Sequence, residues 1–540
     1  MRSIYIRAAV LTAIALAMFG AWMHWSVLDP HNVGWLLSGE DRGQGPIGMV
    51  AYLRAGGPWP SLHEPLLMAP EGLSLLFSDS IPLLGLLLKP LGVSGDLQFV
   101  GLWYLLCVVL QVWFAWRLVR PYAPDDLAAL VGTVLLAAMP ALFNRYGHPS
   151  LCAQWLVLWA LWVFVDEDRA RRPAQWMAVL GIAAMVHTYL LLMVAAFWGS
   201  AMLCALWAGP ARARVLAGAA AVVVFVAAIL WWHGAFAGRY ASTGTYGAFP
   251  LALDAWWNPA NPGYTALIPS SPEDHGRGFE GLQYLGAGLL ALVVVALGSW
   301  LARRGEDGGK GSPSSLARLR WLLPAFAVVA IAAIGPQPMW RGAPIFTIHL
   351  PQGLTDALDP IRAGGRLAWP PTYTLAFAAI VMAMRLRRAT VVLAAALALQ
   401  VVDLAPMLAA VHATSAKATD RSVYHRTTDP RWSALTAGAS SVEFEPATPF
   451  VDLQTMQEIS WRAVTACRPV RFTYAARESI AVRARLDADS AAFQGGRLDP
   501  TRLYVLLDGK APAALAGRVQ RLDGVAIIAP TASAPQTVCR

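Results

Sequence analysis

Charged residues are scarce in this chain. Only 14% of its 540 residues are Asp, Glu, Lys or Arg, whereas 57% are apolar. A soluble protein of this size needs more polar surface than that to cover its core. Several apolar stretches also reach the roughly 20 residues that a helix needs to cross a bilayer. The composition therefore predicts an integral membrane protein.

The motifs of soluble enzymes are also missing. The sequence has no Walker-type phosphate loop, no dinucleotide fingerprint, no HExxH and no paired CxxC. The missing ATP-binding loop argues against a primary pump. No ordered set of zinc ligands is visible, so we assign no cofactor, and no motif supports a divalent metal ion.

The charges that are present follow a pattern between the apolar segments. Short basic segments alternate with long segments that hold acidic residues, aromatics, Gly, Pro and His. Cytoplasmic loops of membrane proteins are enriched in Lys and Arg, which accounts for the net charge of +9 without a nucleic-acid partner. The basic segments contain Arg117 and Arg120; Arg169, Arg171 and Arg172; Arg212 and Arg214; Arg303 to Arg320; and Arg385, Arg387 and Arg388.

The apolar segments predict an α-helical polytopic membrane protein with about eleven spans and a cytoplasmic amino terminus. No small-x-small cleavage site follows the first segment, so we expect an uncleaved helix rather than a signal peptide. The segment 81–93 is too short to cross and is expected to be re-entrant or interfacial. The predicted spans lie near residues 7–26, 99–119, 126–143, 151–166, 174–187, 189–208, 214–233, 283–302, 319–335, 370–385 and 389–411.

The membrane domain is thus predicted to cover residues 1–411. Its first, third and fourth outer loops are long and span residues 27–98, 234–282 and 336–370, whereas the second, 144–150, is a tight turn. Long loops without regular structure are usually functional. We therefore expect the chemistry on this outer, periplasmic side of a bacterial inner membrane.

The carboxy-terminal region has a different composition. Residues 412–450 are rich in Thr, Ser and Ala and are expected to be a linker. Strand-like runs and one helix-like segment then predict a small periplasmic α/β domain over residues 451–540. Cys467 and Cys539 are candidates for a disulfide in that oxidising compartment, and two unpaired thiols are the alternative.

Two adjacent acids stand near the start of the first outer loop. Glu40 and Asp41 follow the first span closely, and a carboxylate at a membrane surface can take a proton from a hydroxyl group. Most loop acids are merely solvated, but the position and the length of this loop favour a catalytic role. Asp79 in the same loop is a candidate to contact the substrate.

Arginines at the outer ends of spans are exceptions to the charge pattern. Arg145 and His148 lie in the second outer loop, and Arg362 and Arg366 flank two glycines in the fourth. Such groups can bind the oxygens of a phosphate. For the first pair, anchoring at the membrane interface together with Tyr146 is the alternative.

Five further residues are candidates to contact the substrate. His187 and Tyr189 lie at the outer end of the fifth span, where helix–helix contact is the more frequent role of polar groups. Trp257 and Tyr284 offer rings that suit a sugar, although aromatics are also ordinary interface residues. Glu280 lies at the start of the eighth span and can point into a cavity.

Four short motifs carry a resemblance to a known superfamily. They are similar to those of a bacterial family of multi-pass proteins of unassigned function, grouped near the GT-C glycosyltransferases. The spans, the long first outer loop with its acidic pair and the outer carboxy-terminal domain also resemble GT-C enzymes, over most of residues 1–410. The motifs are Pro30-His-Asn-Val-Gly-Trp-Leu-Leu-Ser-Gly-Glu-Asp41, Phe77-Ser-Asp-Ser-Ile-Pro82, Arg145-Tyr-Gly-His148 and Ala363-Gly-Gly-Arg366.

The resemblance implies a glycosyltransferase that contacts membrane lipids. It would move a sugar from a polyprenyl-phosphate-linked donor to a cell-envelope glycan or lipid acceptor, with inversion. Asp41, or Glu40, would be the base. A transporter or flippase of a lipid-linked saccharide and a non-catalytic assembly protein are the alternatives; a transporter should show inverted repeats and mid-membrane charges. The residues implied to hold the donor phosphate are Arg145, His148, Arg362 and Arg366.

Overall fold

The structure, a computed structural model, is mainly helical with a small carboxy-terminal sheet. It describes residues 2–93, 96–208, 211–236, 240–241, 245–271, 277–304, 314–475, 477–532 and 539. The helices are α1 Arg2–Trp22, α2 Gln44–Arg54, α3 Pro82–Leu88, α4 Val100–Val119, α5 Asp126–Ala137, α6 Pro140–Phe143, α7 Trp155–Phe164, α8 Glu167–Ala170, α9 Pro173–Val186, α10 Thr188–Ala208, α11 Arg212–Trp232, α12 Arg277–Glu280, α13 Ala287–Arg304, α14 Ser314–Arg318, α15 Leu323–Ile334, α16 Gln352–Leu358, α17 Trp369–Ala383, α18 Ala389–Ala416, α19 Arg431–Gly438, α20 Leu453–Thr465 and α21 Ile480–Gln494.

Among the described residues, six helices are long and apolar enough to cross a membrane. A seventh results if α5 and the segment Pro140–Gly147 form one span bent by 45°. Pro140 begins α6 and has no N–H to continue the α5 hydrogen-bond ladder, which explains the break. Other predicted spans correspond to shorter apolar helices, such as Pro173–Val186. Length and composition therefore support six or seven of the eleven predicted crossings.

Charged and polar side chains join four helices at one end of the bundle. Asp126, at the start of α5, pairs with Arg120 at 2.8 Å and with Arg7 of α1 at 3.4 Å. The neighbouring Asp125 caps α5 and accepts a hydrogen bond from Thr390, at the start of α18. The ends of four helices that the charge pattern assigns to one side of the membrane thus meet in the structure.

The opposite end of the bundle joins the other ends of the same helices. Trp22 at the end of α1 donates to the carbonyl oxygen of Phe143 at 3.1 Å. The backbone N–H of His24 donates to Ser415 Oγ, close to the end of α18, at 2.8 Å. The segments predicted to be outer loops start from this end.

The carboxy-terminal domain contains a four-stranded sheet with the order β6-β8-β10-β9, in which β6 and β8 are parallel and the other pairs are antiparallel. Further pairs are β1-β2, β3-β7 and β4-β5. The strands are β1 His63–Glu64, β2 Leu73–Ser74, β3 Tyr240–Ala241, β4 Met339–Trp340, β5 Ala343–Pro344, β6 Val442–Glu445, β7 Glu478–Ser479, β8 Leu503–Leu506, β9 Gln520–Leu522 and β10 Val525–Ile528.

Ordered structure in this region begins earlier than residue 451. Helix α18 continues to Ala416, and both α19 and β6 lie within residues 412–450, which were predicted to be a linker. All four residues of β6 are buried: the strand pairs with β8 on one side, and Val442 forms a bridge with Val470 on the other. A composition rich in Thr, Ser and Ala did not reveal this pairing, since its partner lies about sixty residues further along the chain.

The first outer loop and the carboxy-terminal domain share one hydrophobic core. Val33, Leu37 and Val50 of the loop are in the same cluster as Phe444 and Ile459 of the domain. Gln457 of α20 adds polar contacts: its side chain accepts from the N–H of Gly39 at 2.9 Å and donates to the carbonyl oxygen of Glu40 at 2.7 Å. The domain therefore packs onto the membrane part as an integral layer.

A disulfide closes the carboxy-terminal domain. Cys467, just after α20, is bonded to Cys539, and their Cα atoms are 5.7 Å apart. The bridge spans 72 residues of sequence, and it removes conformational freedom mainly from the unfolded chain. Cys107, Cys152 and Cys204 are free and buried.

We expect the double variant Cys467→Ser/Cys539→Ser to lower the free energy of unfolding of this domain by about 2–4 kcal/mol, because the unfolded chain regains loop entropy. Thermal unfolding of the full-length protein measures the change. Dithiothreitol should shift the wild-type protein to the same midpoint and leave the variant unaffected. Identical midpoints for wild type and variant under oxidising conditions would contradict the prediction.

Candidate functional site

A polar cavity of about 410 Å³ lies between the outer loops and the carboxy-terminal domain. Its walls come from distant parts of the chain, which only the fold brings together. Of the twelve residues that the sequence nominates for catalysis or substrate binding, eight line this cavity. They are Asp41, Asp79, His148, His187, Tyr189, Glu280, Arg362 and Arg366.

An acid and a histidine meet at one wall. Asp41 opens a short 3-10 turn, Asp41–Gly43, and its Oδ2 lies 3.2 Å from Nε2 of His148. The side chain of Asp41 is 39% exposed, whereas that of His148 is 12% exposed. Such a pair can accept a proton from a hydroxyl group and share it between carboxylate and imidazole. The backbone before Asp41 is held by Gln457, and Gly39 adopts a φ of +78° that favours glycine.

A buried ion cluster lies beside this pair, with Glu280 Oε1 3.9 Å from Nε2 of His148. Glu280 Oε2 is 2.7 Å from Nη1 of Arg145, and Glu280 Oε1 is 2.5 Å from Nη2 of Arg366. Burial alone would raise the pKa of Glu280, but the two arginines outweigh it and hold that pKa well below its usual range. Arg145 itself lies behind Glu280, under the ring of Phe279, and does not line the cavity.

Two more titratable groups of the cavity are shifted by burial. Burial raises the pKa of Asp79, whose φ of +52° places it in the left-handed region. The amide of Gln44 is best satisfied with its nitrogen donating to Asp79 Oδ2, at 3.2 Å. Burial, reinforced by Arg366, lowers the pKa of His187 to about 3. His187 Nδ1 accepts from the N–H of Tyr189 at 3.1 Å, so the neutral ring carries its proton on Nε2.

The carboxy-terminal domain supplies residues that the sequence did not nominate. Tyr474 and Arg477 line the cavity beside Arg362. Arg477 Nη2 donates to the carbonyl oxygen of Pro360 at 2.9 Å, which ties the domain to the fourth outer loop. No local pattern marks these residues, because their role follows from packing between segments over a hundred residues apart.

Three nominated residues lie elsewhere. Glu40 turns away from the cavity and pairs with Arg42 at 3.3 Å. The Tyr284 hydroxyl donates to Asp403 Oδ2 of α18 at 2.5 Å, which fixes the start of α13 to that helix. Trp257 is 47% exposed and contributes nothing to the cavity wall. Neighbouring acids and interfacial aromatics occur in many roles. Residue type alone therefore did not separate these three positions from those that line the cavity.

Carboxylates and histidines, the residue types of this site, can bind metal ions. Within the part of the chain that the structure describes, no group of three or more His, Cys, Asp or Glu side chains is arranged to hold a metal ion. The acids are instead distributed among cationic partners: Asp41 faces His148, and Glu280 faces two arginines. The arrangement suits proton transfer at one wall and an anionic group near the arginines.

We expect Glu280→Gln to lower the free energy of unfolding by about 3–5 kcal/mol, because Arg145 and Arg366 would keep buried charges without their carboxylate. Denaturant titration of the purified protein measures the change. Glu167→Gln is the matched control: Glu167 pairs with Arg171 at an exposed site, and its loss should cost less than about 1 kcal/mol. Equal effects of the two substitutions would contradict a buried cluster.

Comparison with known proteins places the chain in a family. Residues 12–405 match the family described as a domain of unknown function, DUF6311, and residues 431–530 match the DUF6311 C-terminal domain. No curated protein and no solved structure matches the chain. The second match begins at α19, in agreement with the early start of ordered structure in that region. Because the first match alone spans more than half of its residues, the chain belongs to the DUF6311 family.

Proposed function

We propose that the protein is a GT-C-type glycosyltransferase of a bacterial inner membrane. It would transfer a sugar from a polyprenyl-phosphate-linked donor to a glycan or lipid acceptor of the cell envelope, on the periplasmic side. The observation that carries the proposal is the cavity itself. There the Asp41–His148 pair and the side chains of Arg362 and Arg366, from three different outer loops, border one space.

The acid–histidine pair suits activation of an acceptor hydroxyl. As the hydroxyl oxygen forms a bond to the anomeric carbon of the donor sugar, its proton passes to Asp41, with His148 at 3.2 Å to share it. The bond from that carbon to the phosphate oxygen breaks, and its electron pair leaves with the phosphate. Attack from the side opposite the leaving group gives inversion. Glu40 is the weaker candidate for the base, because it faces Arg42 and not the cavity.

The cationic side of the cavity suits the leaving phosphate. Arg362 and Arg477 line it together, and Arg366 contributes although it also serves Glu280. A guanidinium group matches phosphate oxygens in both charge and geometry. Arg145, nominated for the same role, is better suited to fixing Glu280, since its side chain is fully buried behind that carboxylate.

The proposed orientation draws on both ends of the bundle. The ends that meet at Asp126 carry the basic segments typical of a cytoplasmic face. The cavity belongs to the opposite end, and the Cys467–Cys539 bond suits an oxidising compartment on that side. All eleven predicted crossings are part of the proposal: the shorter helices would cross as members of bent or tilted pairs.

Asp41→Asn tests the chemistry. The amide cannot accept the hydroxyl proton, so we expect the rate of sugar transfer to fall by about 10²- to 10⁴-fold. The measurements are glycan composition of the cell envelope and transfer by purified protein from a polyprenyl-phosphate sugar. Glu40→Gln is the matched control, since it makes the same change one residue away and should retain transfer. Normal glycan from a stably folded Asp41→Asn protein would refute the proposal.

Single cysteines test the orientation. Lys510→Cys places an exposed thiol on the carboxy-terminal domain, and Asp168→Cys places one in a basic segment. A membrane-impermeant maleimide applied to cells with a permeable outer membrane should label the first and not the second. Disruption of the inner membrane should then expose Asp168→Cys. Labelling of Asp168→Cys in intact cells would reverse the orientation.

A further inference from the structure

A second cavity, of about 360 Å³, lies beside the first. It is enclosed by the first outer loop, the end of α11 and strand β7 of the carboxy-terminal domain. Phe77 and Arg477 line both cavities, so the two spaces share part of a wall. The transfer chemistry proposed above makes no use of this second space.

A buried histidine faces this second cavity. His233 follows the last residue of α11, and only 1% of its surface is exposed. Neither of its ring nitrogens has a hydrogen-bond partner among the residues that the structure describes. Buried polar groups in folded proteins nearly always have one. The ring nitrogens of His233 are therefore available to a group that enters the cavity.

The chemistry of the imidazole limits which groups can bind to it. Burial lowers the pKa of His233 to about 4, so the ring is neutral near pH 7. A neutral imidazole offers one donor and one acceptor, which match the O–H and the lone pairs of a hydroxyl group. Ser61, Ser74 and Ser479 bring further hydroxyls to the cavity wall. Ser74 Oγ already donates to the carbonyl oxygen of His233 and accepts from the N–H of Leu76, so one lone pair remains available to a ligand.

The carboxylates of this wall are already paired. Glu71 Oε2 is 2.8 Å from Nε of Arg485, and Glu478 pairs with Arg483. Arg477 donates to the carbonyl oxygen of Pro360 and also lines the first cavity, where the proposed function assigns it to the phosphate. A cationic ligand would have to compete for the carboxylates and an anionic one for Arg477, whereas an uncharged ligand leaves these contacts intact.

We propose that the second cavity binds an uncharged, hydroxyl-rich group, namely a sugar residue of the acceptor, and that His233 is its buried recognition residue. The inference rests on the proposed transferase function, which requires an acceptor next to the Asp41 cavity. It adds that the acceptor is a saccharide and that the carboxy-terminal domain forms part of its binding site.

Direct binding of uncharged disaccharides tests the proposal. Saturation-transfer difference NMR would use full-length protein in lipid nanodiscs, away from sugar-based detergents, with maltose, cellobiose and chitobiose as probes. We expect saturation transfer to at least one probe. His233→Phe removes both nitrogens and fills space, so it should weaken binding by about tenfold or more. His233→Gln keeps a donor and an acceptor and should stay within about threefold of wild type.

The control is His349→Phe, which makes the same change at an exposed position outside both cavities. If His233→Phe does not fold, as judged by its melting temperature, His233→Leu makes the same test with a smaller side chain. The proposal is overturned if no probe receives saturation from folded wild-type protein. It is also overturned if the folded His233→Phe or His233→Leu protein binds as wild type does.

Failure of this inference and failure of the proposed function are distinguishable. Asp41→Asn should abolish transfer yet bind the same disaccharide with wild-type affinity, since Asp41 does not line the second cavity. Disaccharide binding that requires His233 supports the saccharide site even if Asp41→Asn leaves glycan synthesis intact. Lost transfer in Asp41→Asn without any disaccharide binding keeps the function and refutes the saccharide site.

Discussion

The apolar contact between the first outer loop and the carboxy-terminal domain is the constraint on which the candidate site depends. The loop places Val33, Leu37 and Val50 in a cluster whose other side is Phe444 and Ile459 of the domain. Neither partner alone covers these side chains, so each requires the other to remove them from water. The position of the Asp41 turn, and with it one wall of the cavity, follows from this packing rather than from the helices of the bundle.

Buried ion pairs stabilise the remaining wall of the cavity. Arg145, Glu280 and Arg366 come from the second, third and fourth outer loops, and their buried contacts join these three segments. Burying three charged groups is costly, and the cluster persists because each charge faces an opposite one at hydrogen-bond distance. A wall built this way is already polar before any ligand enters, so its charges need no rearrangement to face one.

The sequence predicted apolar helices long enough to cross a membrane, and eight of the twelve residues that it nominated line the cavity. The acid Asp41 and the basic groups of the outer loops stood out because they depart from the surrounding apolar pattern. Arg477 and His233 did not stand out, since their meaning comes from contacts across the chain and not from neighbours in it. The sequence marked Arg145 as an exception to the charge pattern. It did not reveal the ion pair with Glu280, because that pair depends on the folded structure and not on spacing along the chain. The crossings that rest on shorter helices stay predictions, because periodicity does not mark where a proline ends a helix.

The hydrogen bond between Gln457 and the carbonyl oxygen of Glu40 joins residues 417 positions apart. At a synthesis rate of about 5–20 residues per second, roughly 20–80 s separate the emergence of the two partners from the ribosome. During that interval the first outer loop lacks the surface that buries it. The first outer loop is thus the first segment of the candidate site to be synthesised, but its packing is completed last. In a chain that stops before α20, the apolar side chains of this loop stay exposed to proteases and chaperones.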